Sequence, residues 1–172
     1  FPAAVEDAVR AYRFVLEQGV DPARTAIGGD SAGGGLTLAT LVALRDAGDP
    51  LPGAGVALSP WVDLTMSSDS IHSKGDEDPV LTPTTIDVLA TAYLAGADPR
   101  TPTASPLWAD LSGLPPLLIQ VGTAELLLDE GRRVAEVARQ AGVDVTFEAW
   151  DEMIHVWHLF ADMVPESREA IA

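Results

Sequence analysis

The chain has no cysteine. Disulfides, thiolate metal sites and a cysteine nucleophile are therefore excluded, and a cytoplasmic location is the expected one. Basic charge is also scarce. Ten Lys and Arg face 26 Asp and Glu, for a formal net charge of -16, and Lys74 is the only lysine. Such a balance argues against nucleic acid and anionic membrane surfaces as partners. No apolar run approaches the ~18 residues of a membrane-spanning helix. Internal repeats and low-complexity tracts are absent as well. What remains is a 172-residue chain of ordinary apolar content, long enough for one domain with a real core. It opens on Phe1 and not on Met, already inside a helical pattern. The natural N-terminus is expected to lie upstream, so the missing signal peptide carries no information.

The most informative stretch is Gly29-Asp30-Ser31-Ala32-Gly33, a G-x-S-x-G pentapeptide. Thr25 to Gly28 before it reads as a buried strand, and Leu36 to Leu44 after it reads as a helix. A serine on such a sharp strand-to-helix turn is presented as a nucleophile, with its hydroxyl above the sheet. The turn is strained and its backbone passes close to neighbouring chain, so Gly29 and Gly33 are expected to flank the serine because side chains there would clash.

Around this turn the pattern alternates. Pro2 to Gln18 reads as a helix closed by Gly19, with Val5, Val9, Tyr12 and Leu16 at helical spacing. Gly55 to Ser59 and Leu117 to Val121 read as buried strands. Asp129 to Gln140 reads as an amphipathic helix, Val143 to Trp150 as a fourth strand, and His155 to about Met163 as a last helical segment. Strands that are mostly continuous apolar runs, alternating with helices, predict a parallel sheet covered on both faces. Residues 60–113 form a long excursion with one clear helix, Thr84 to Leu94. An insertion of this length is usually functional. Most of its apolar residues are expected in ordinary packing, with a few lining an acyl pocket.

A serine nucleophile needs a base, and the base needs an orienting acid. The order Ser, acid, His sets aside His72, which precedes the acid candidates. His155 and His158 both follow the last strand. His155, at the loop-to-helix junction, is the favoured base, and His158 is expected to pack or to face solvent. For the acid, Glu125 directly follows the strand ending near Val121, where catalytic groups collect in open α/β sheets. Asp129 lies one turn later, and its favoured role is a helix N-cap; it stays open as the alternative acid.

These residues resemble the bacterial hormone-sensitive-lipase-like esterases, lipase family IV of the α/β-hydrolases. The carrying motifs are Gly29-Asp30-Ser31-Ala32-Gly33-Gly34, Ser59-Pro60-Trp61, Ser105-Pro106-Leu107, Gly113-Leu114-Pro115-Pro116 and the Glu125 and His155 segments. Similar chains include ε-lactone and acetyl-ester hydrolases. The resemblance implies an α/β-hydrolase fold over residues 1–172, with 60–113 as a cap or insertion. It implies a Ser31-His155-Glu125 triad, an oxyanion donor at the Ala32 N–H, and short-chain acyl esters or small lactones as substrates. No metal or cofactor is implied. Many members carry Asp-Pro where this chain has Glu125-Leu126. The family's upstream His-Gly-Gly-Gly stretch, which supplies most of the oxyanion hole, has no counterpart here. By resemblance the first strands of the fold precede Phe1, which would leave the elbow strand as an exposed edge. The family often pairs through its last strand, here residues 143–150. A hydrolase-like module that binds or dimerises without turnover is the alternative reading.

Overall fold

A computed structural model describes residues 1–172. Four parallel strands lie in sequence order: β1 (Ala26–Asp30), β2 (Ala54–Leu58), β3 (Leu117–Gly122) and β4 (Val145–Trp150). The helices are α1 (Ala3–Glu17), α2 (Ala32–Ala47), α3 (Ser70–Ser73), α4 (Pro83–Leu94), α5 (Leu128–Gln140) and α6 (Pro165–Ile171). Parallel neighbours require crossovers, and α2 joins β1 to β2 while α5 joins β3 to β4.

Register decides which residues meet the helices. Ile27, Gly55, Leu117 and Val145 stand side by side, as do Gly29, Ala57, Ile119 and Phe147. Side chains in register share a face, and this face packs on α2 and α5. The main core joins Leu38, Leu41 and Val42 of α2 to Ile119 of β3 and to Val134, Ala135 and Ala138 of α5. The opposite face is covered unevenly. There the Gln120 side-chain amide donates to Glu148 at 2.8 Å and to the Ala170 carbonyl of α6 at 3.0 Å. Alternate residues of β1 stay exposed, whereas β3 is buried at five of six positions.

Several expectations are modified. The elbow strand is longer than read, continuing through Gly29 to Asp30, and it is not buried. Within residues 1–172 it pairs with β2. The expected last helical segment, His155 to about Met163, holds only a 3₁₀ turn at Trp157–Phe160. A separate helix, α6, lies beyond it and opens on Pro165, a residue suited to the first turn of a helix. Asp129 does not cap α5. Leu127 holds that position, and the Asp129 carboxylate accepts from the Ser70 N–H at 3.0 Å and pairs with Arg132.

That Asp129–Ser70 contact shows what the excursion does. Residues 60–113 contain α3, α4 and a 3₁₀ turn at Pro106–Trp108. Ile71 and Ile86 pack on Leu126 in a small buried cluster. Ser70 Oγ donates to the Leu126 carbonyl at 2.6 Å, and Asp78 Oδ2 accepts from the Leu126 N–H at 2.9 Å. The excursion therefore grips the segment that follows Glu125. No helix of the chain is long and apolar enough to cross a membrane.

Candidate active site

The polar centre of the molecule lies at the C-terminal ends of the strands. Ser31 sits between β1 and α2 with φ 54° and ψ -120°, outside the regions a serine ordinarily occupies. Its N–H donates to the Leu58 carbonyl at 2.8 Å, and its carbonyl accepts from the Trp61 N–H at 2.9 Å. Close approach explains some of the neighbouring glycines. A Cβ at Gly29 would stand 2.5 Å from the Gly33 carbonyl oxygen, and one at Gly35 would run into the Trp61 carbonyl. Gly33 differs from the expectation. A Cβ there meets nothing within 4 Å, so packing does not demand its bareness. It borders instead an apolar cavity of about 320 Å³, alongside Ala32, Leu36, Trp61, Leu64, Leu89 and Tyr93.

Three of the residues singled out from sequence lie in one hydrogen-bonded line. His155 Nε2 is 2.9 Å from Ser31 Oγ, and His155 Nδ1 is 3.3 Å from Glu125 Oε1. Glu125 and His155 are both buried. The direction of the protons follows from the fixed donors. The Gly122 N–H donates to Glu125 Oε2 at 2.9 Å, and the Val156 N–H donates to Ser59 Oγ at 3.1 Å. Ser59 is thereby the acceptor from Val156, and its own proton goes to Glu125 Oε2 at 2.8 Å. Glu125 Oε1 is left to accept from Nδ1–H of His155. The Nε2 lone pair then faces the Ser31 hydroxyl and can take its proton.

The Ala32 N–H opens α2, among the helix's first donors, which have no intrahelical acceptor. Asp30 completes the turn with an exposed residue. Asp129 is outside the line and bonded to Ser70, as described above. His158 is packed and not solvated. Gln120 spends both amide hydrogens on Glu148 and Ala170, so its oxygen accepts from His158 Nε2–H at 2.9 Å. Burial pulls the His158 pKa down to about 4, against a weaker upward pull from Asp30. His72 is exposed in α3. No three His, Asp or Glu side chains are grouped to hold a metal ion.

Two further buried groups have structural work. Asp63 accepts from the Thr65 N–H and hydroxyl, from Ser67 and from Trp108 Nε1. Burial alone would raise its pKa, but these donors outweigh it and hold the carboxyl below the usual range. Glu130 Oε2 accepts from the Val62 and Asp63 N–H groups at 2.7 and 2.9 Å. Its burial drives its pKa well up, and nearby Asp63 adds to this. From sequence, Ser59 stands only within the Ser59-Pro60-Trp61 motif, with no role in the site; its further signal is position, a polar residue directly at the end of β2.

Comparison with known proteins agrees with this architecture. The alpha/beta hydrolase fold family matches residues 1–159. The chain is 54% identical over 171 residues to an acetyl-hydrolase of Streptomyces hygroscopicus, covering 99% of this chain and 57% of that protein. It is 35% identical to an esterase of Acinetobacter venetianus, covering 100% of this chain and 57% of that one. Among solved structures, an esterase from the bacterial hormone-sensitive lipase family superposes with a TM-score of 0.98 at 53% identity. That match covers 99% of this chain and 58% of the esterase. The chain thus spans under three-fifths of the length of these relatives. With its parallel sheet, strand-to-helix serine turn and family match together, the chain belongs to the alpha/beta hydrolase fold family.

Proposed function

We propose that residues 1–172 carry the catalytic residues of a carboxylic ester hydrolase, as one catalytic unit with residues 60–113 inserted over the strand ends. The observation that carries this reading is the line from Ser31 Oγ through His155 to Glu125. Ser31 attacks the acyl carbonyl while His155 Nε2 takes its proton. Glu125 holds the tautomer and stabilises the imidazolium. The Ala32 N–H donates to the oxyanion. As the carbonyl re-forms, the C–O bond to the alcohol breaks, and His155 returns the proton to that alcohol. Water, activated by His155, then attacks the acyl-enzyme, and Ser31 recovers its proton as the acid leaves. Short-chain acyl esters or small lactones suit the apolar cavity beside Ala32 and Gly33. The acetyl-hydrolase relative supports the same class.

The test is hydrolysis of p-nitrophenyl acetate and butyrate by the chain and its Ser31→Ala variant. Turnover lost in the variant supports the reading; equal turnover in both overturns it. A hole short of one donor typically loses about 10² to 10³ in rate, so turnover below that of full-length relatives is expected if other donors lie outside this chain. The second reading, a module that pairs without turnover, draws on the outer edge of β4, which has no strand partner. Association that persists in Ser31→Ala, with no hydrolysis by either form, favours it.

A further inference from the structure

We propose that Ser59 is a positioning residue for this site, acting through Glu125 and through the backbone that carries His155. The proposal rests on the hydrolase reading above and adds a fourth side chain to it. Ser59 follows β2, the strand between the one that leads to Ser31 and the one that leads to Glu125. It is fully buried. Its hydroxyl makes two bonds of opposite sense. It donates to Glu125 Oε2 at 2.8 Å and accepts from the Val156 N–H at 3.1 Å. One oxygen thus ties the acid to the residue next to the base.

The two carboxylate oxygens of Glu125 divide their duties as a result. Oε2 takes Ser59 and Gly122, while Oε1 alone faces His155. Without the Ser59 donor, Oε2 keeps a single anchor, and the carboxylate gains freedom to rotate away from Nδ1. That contact is already 3.3 Å, at the long end of useful hydrogen bonds, so it has little slack. The hydroxyl also holds the start of the turn after His155, since Val156 would otherwise bury an unpaired N–H.

Backbone strain marks the same place. Ser59 has φ 45° and Val156 has φ 51°. Neither is glycine, and Val156 is β-branched, for which such a φ is a genuine outlier. Strained conformations persist where the surroundings over-determine them, and they cluster at functional sites. Glycine would fit the Ser59 backbone more comfortably, but glycine has no hydroxyl. The pair is strained on both sides of one hydrogen bond, and that bond leads to the acid.

The test separates the hydroxyl from the backbone. Ser59→Ala removes the hydroxyl and keeps the strain; Ser59→Gly removes both. Each is measured with p-nitrophenyl acetate, alone and combined with Glu125→Gln, with folding checked by circular dichroism. The expected result is about a tenfold fall in kcat for both variants at unchanged KM, the size of one lost charge-assisted hydrogen bond. In the Glu125→Gln background the further fall should shrink below about twofold, since residues acting as a unit are non-additive. A second readout does not need turnover. The downfield proton resonance of His155 Nδ1–H should be present in the unaltered chain and move or broaden in both variants. Wild-type rates in Ser59→Ala, restored rates in Ser59→Gly, an equal loss in the Glu125→Gln background, or an unmoved Nδ1–H resonance would each overturn the proposal. Turnover independent of Ser31 would instead overturn the hydrolase reading, and the resonance would still decide the role of Ser59.

Discussion

The two halves of the sheet support their parts of the site in different ways. On the β1 side, alternate strand residues are exposed and only β2 is a partner. Ser31 is held there by backbone: a left-handed turn, the approach of Gly29 to Gly33, and bonds to Leu58 and Trp61. On the β3 side the strand is central and buried. Glu125 and His155 are held there by side chains reaching in from elsewhere, namely Ser59, Ser70 and Asp78. One half holds its residue by backbone contacts, the other chiefly by side chains.

The largest expected effect tests the unequal burial. Ile119 of β3 is fully buried in the main core, and Ile27 of β1 is only partly buried against it. Ile119→Ala should cost about 2–5 kcal/mol, the range for a buried aliphatic truncated to alanine. Ile27→Ala should cost about 1 kcal/mol or less, because part of its surface is already in water. Urea unfolding of both variants gives the two values, and equal costs would erase the distinction between the halves.

Next come the glycines beside the turn, whose surroundings differ. Gly35→Ala drives a methyl into the Trp61 carbonyl and should cost about 1–3 kcal/mol. Gly33→Ala meets open space and should shift stability by about 0.5 kcal/mol or less. A G-x-S-x-G string marks a turn but does not say which glycine faces packed backbone and which faces a cavity. The same limit applies to Ser59 and Asp129. Positions after strands were legible because apolar runs and glycines punctuate the chain. The partners of those positions were not, since Ser59 to Glu125 spans 66 residues and Ser70 to Asp129 spans 59. No local pattern encodes such pairs. The start of α6, by contrast, carries a local signal in Pro165, which suits a helix's first turn.

Titration sharpens the comparison on the buried side. The His158 pKa falls from its ordinary 6.5 to about 4, chiefly by burial. Between those values the unfolded chain binds more protons, so stability should rise with pH from about 4 to 6.5 and level off above. Glu130 acts in the opposite sense. Burial raises its pKa well above the ordinary 4.5, so the folded chain binds more protons there, and stability should fall as pH rises through the raised value. His158→Gln should remove the rise between about 4 and 6.5, and Glu130→Gln the opposing fall above the ordinary 4.5, each read from urea midpoints across pH. Slopes that persist unchanged in these variants would place the titration elsewhere.

The smallest effect on stability concerns the two free edges, and there the halves compete. Within residues 1–172, β1 and β4 are the two outer strands, and unpaired edges template association. The family resemblance implies pairing through β4, and a substitution on β1 serves as the comparison. Ala26 on β1 and Thr146 on β4 are both exposed, so a lysine at either should leave folding within about 0.5 kcal/mol while discouraging edge-to-edge contact. If β4 is the pairing edge, Thr146→Lys should return the chain to monomer in analytical ultracentrifugation and Ala26→Lys should not. The reverse result would mean that the edge beside the nucleophile is the sticky one. Any occupant of that edge would then lie next to Ser31, and association would act on the site itself.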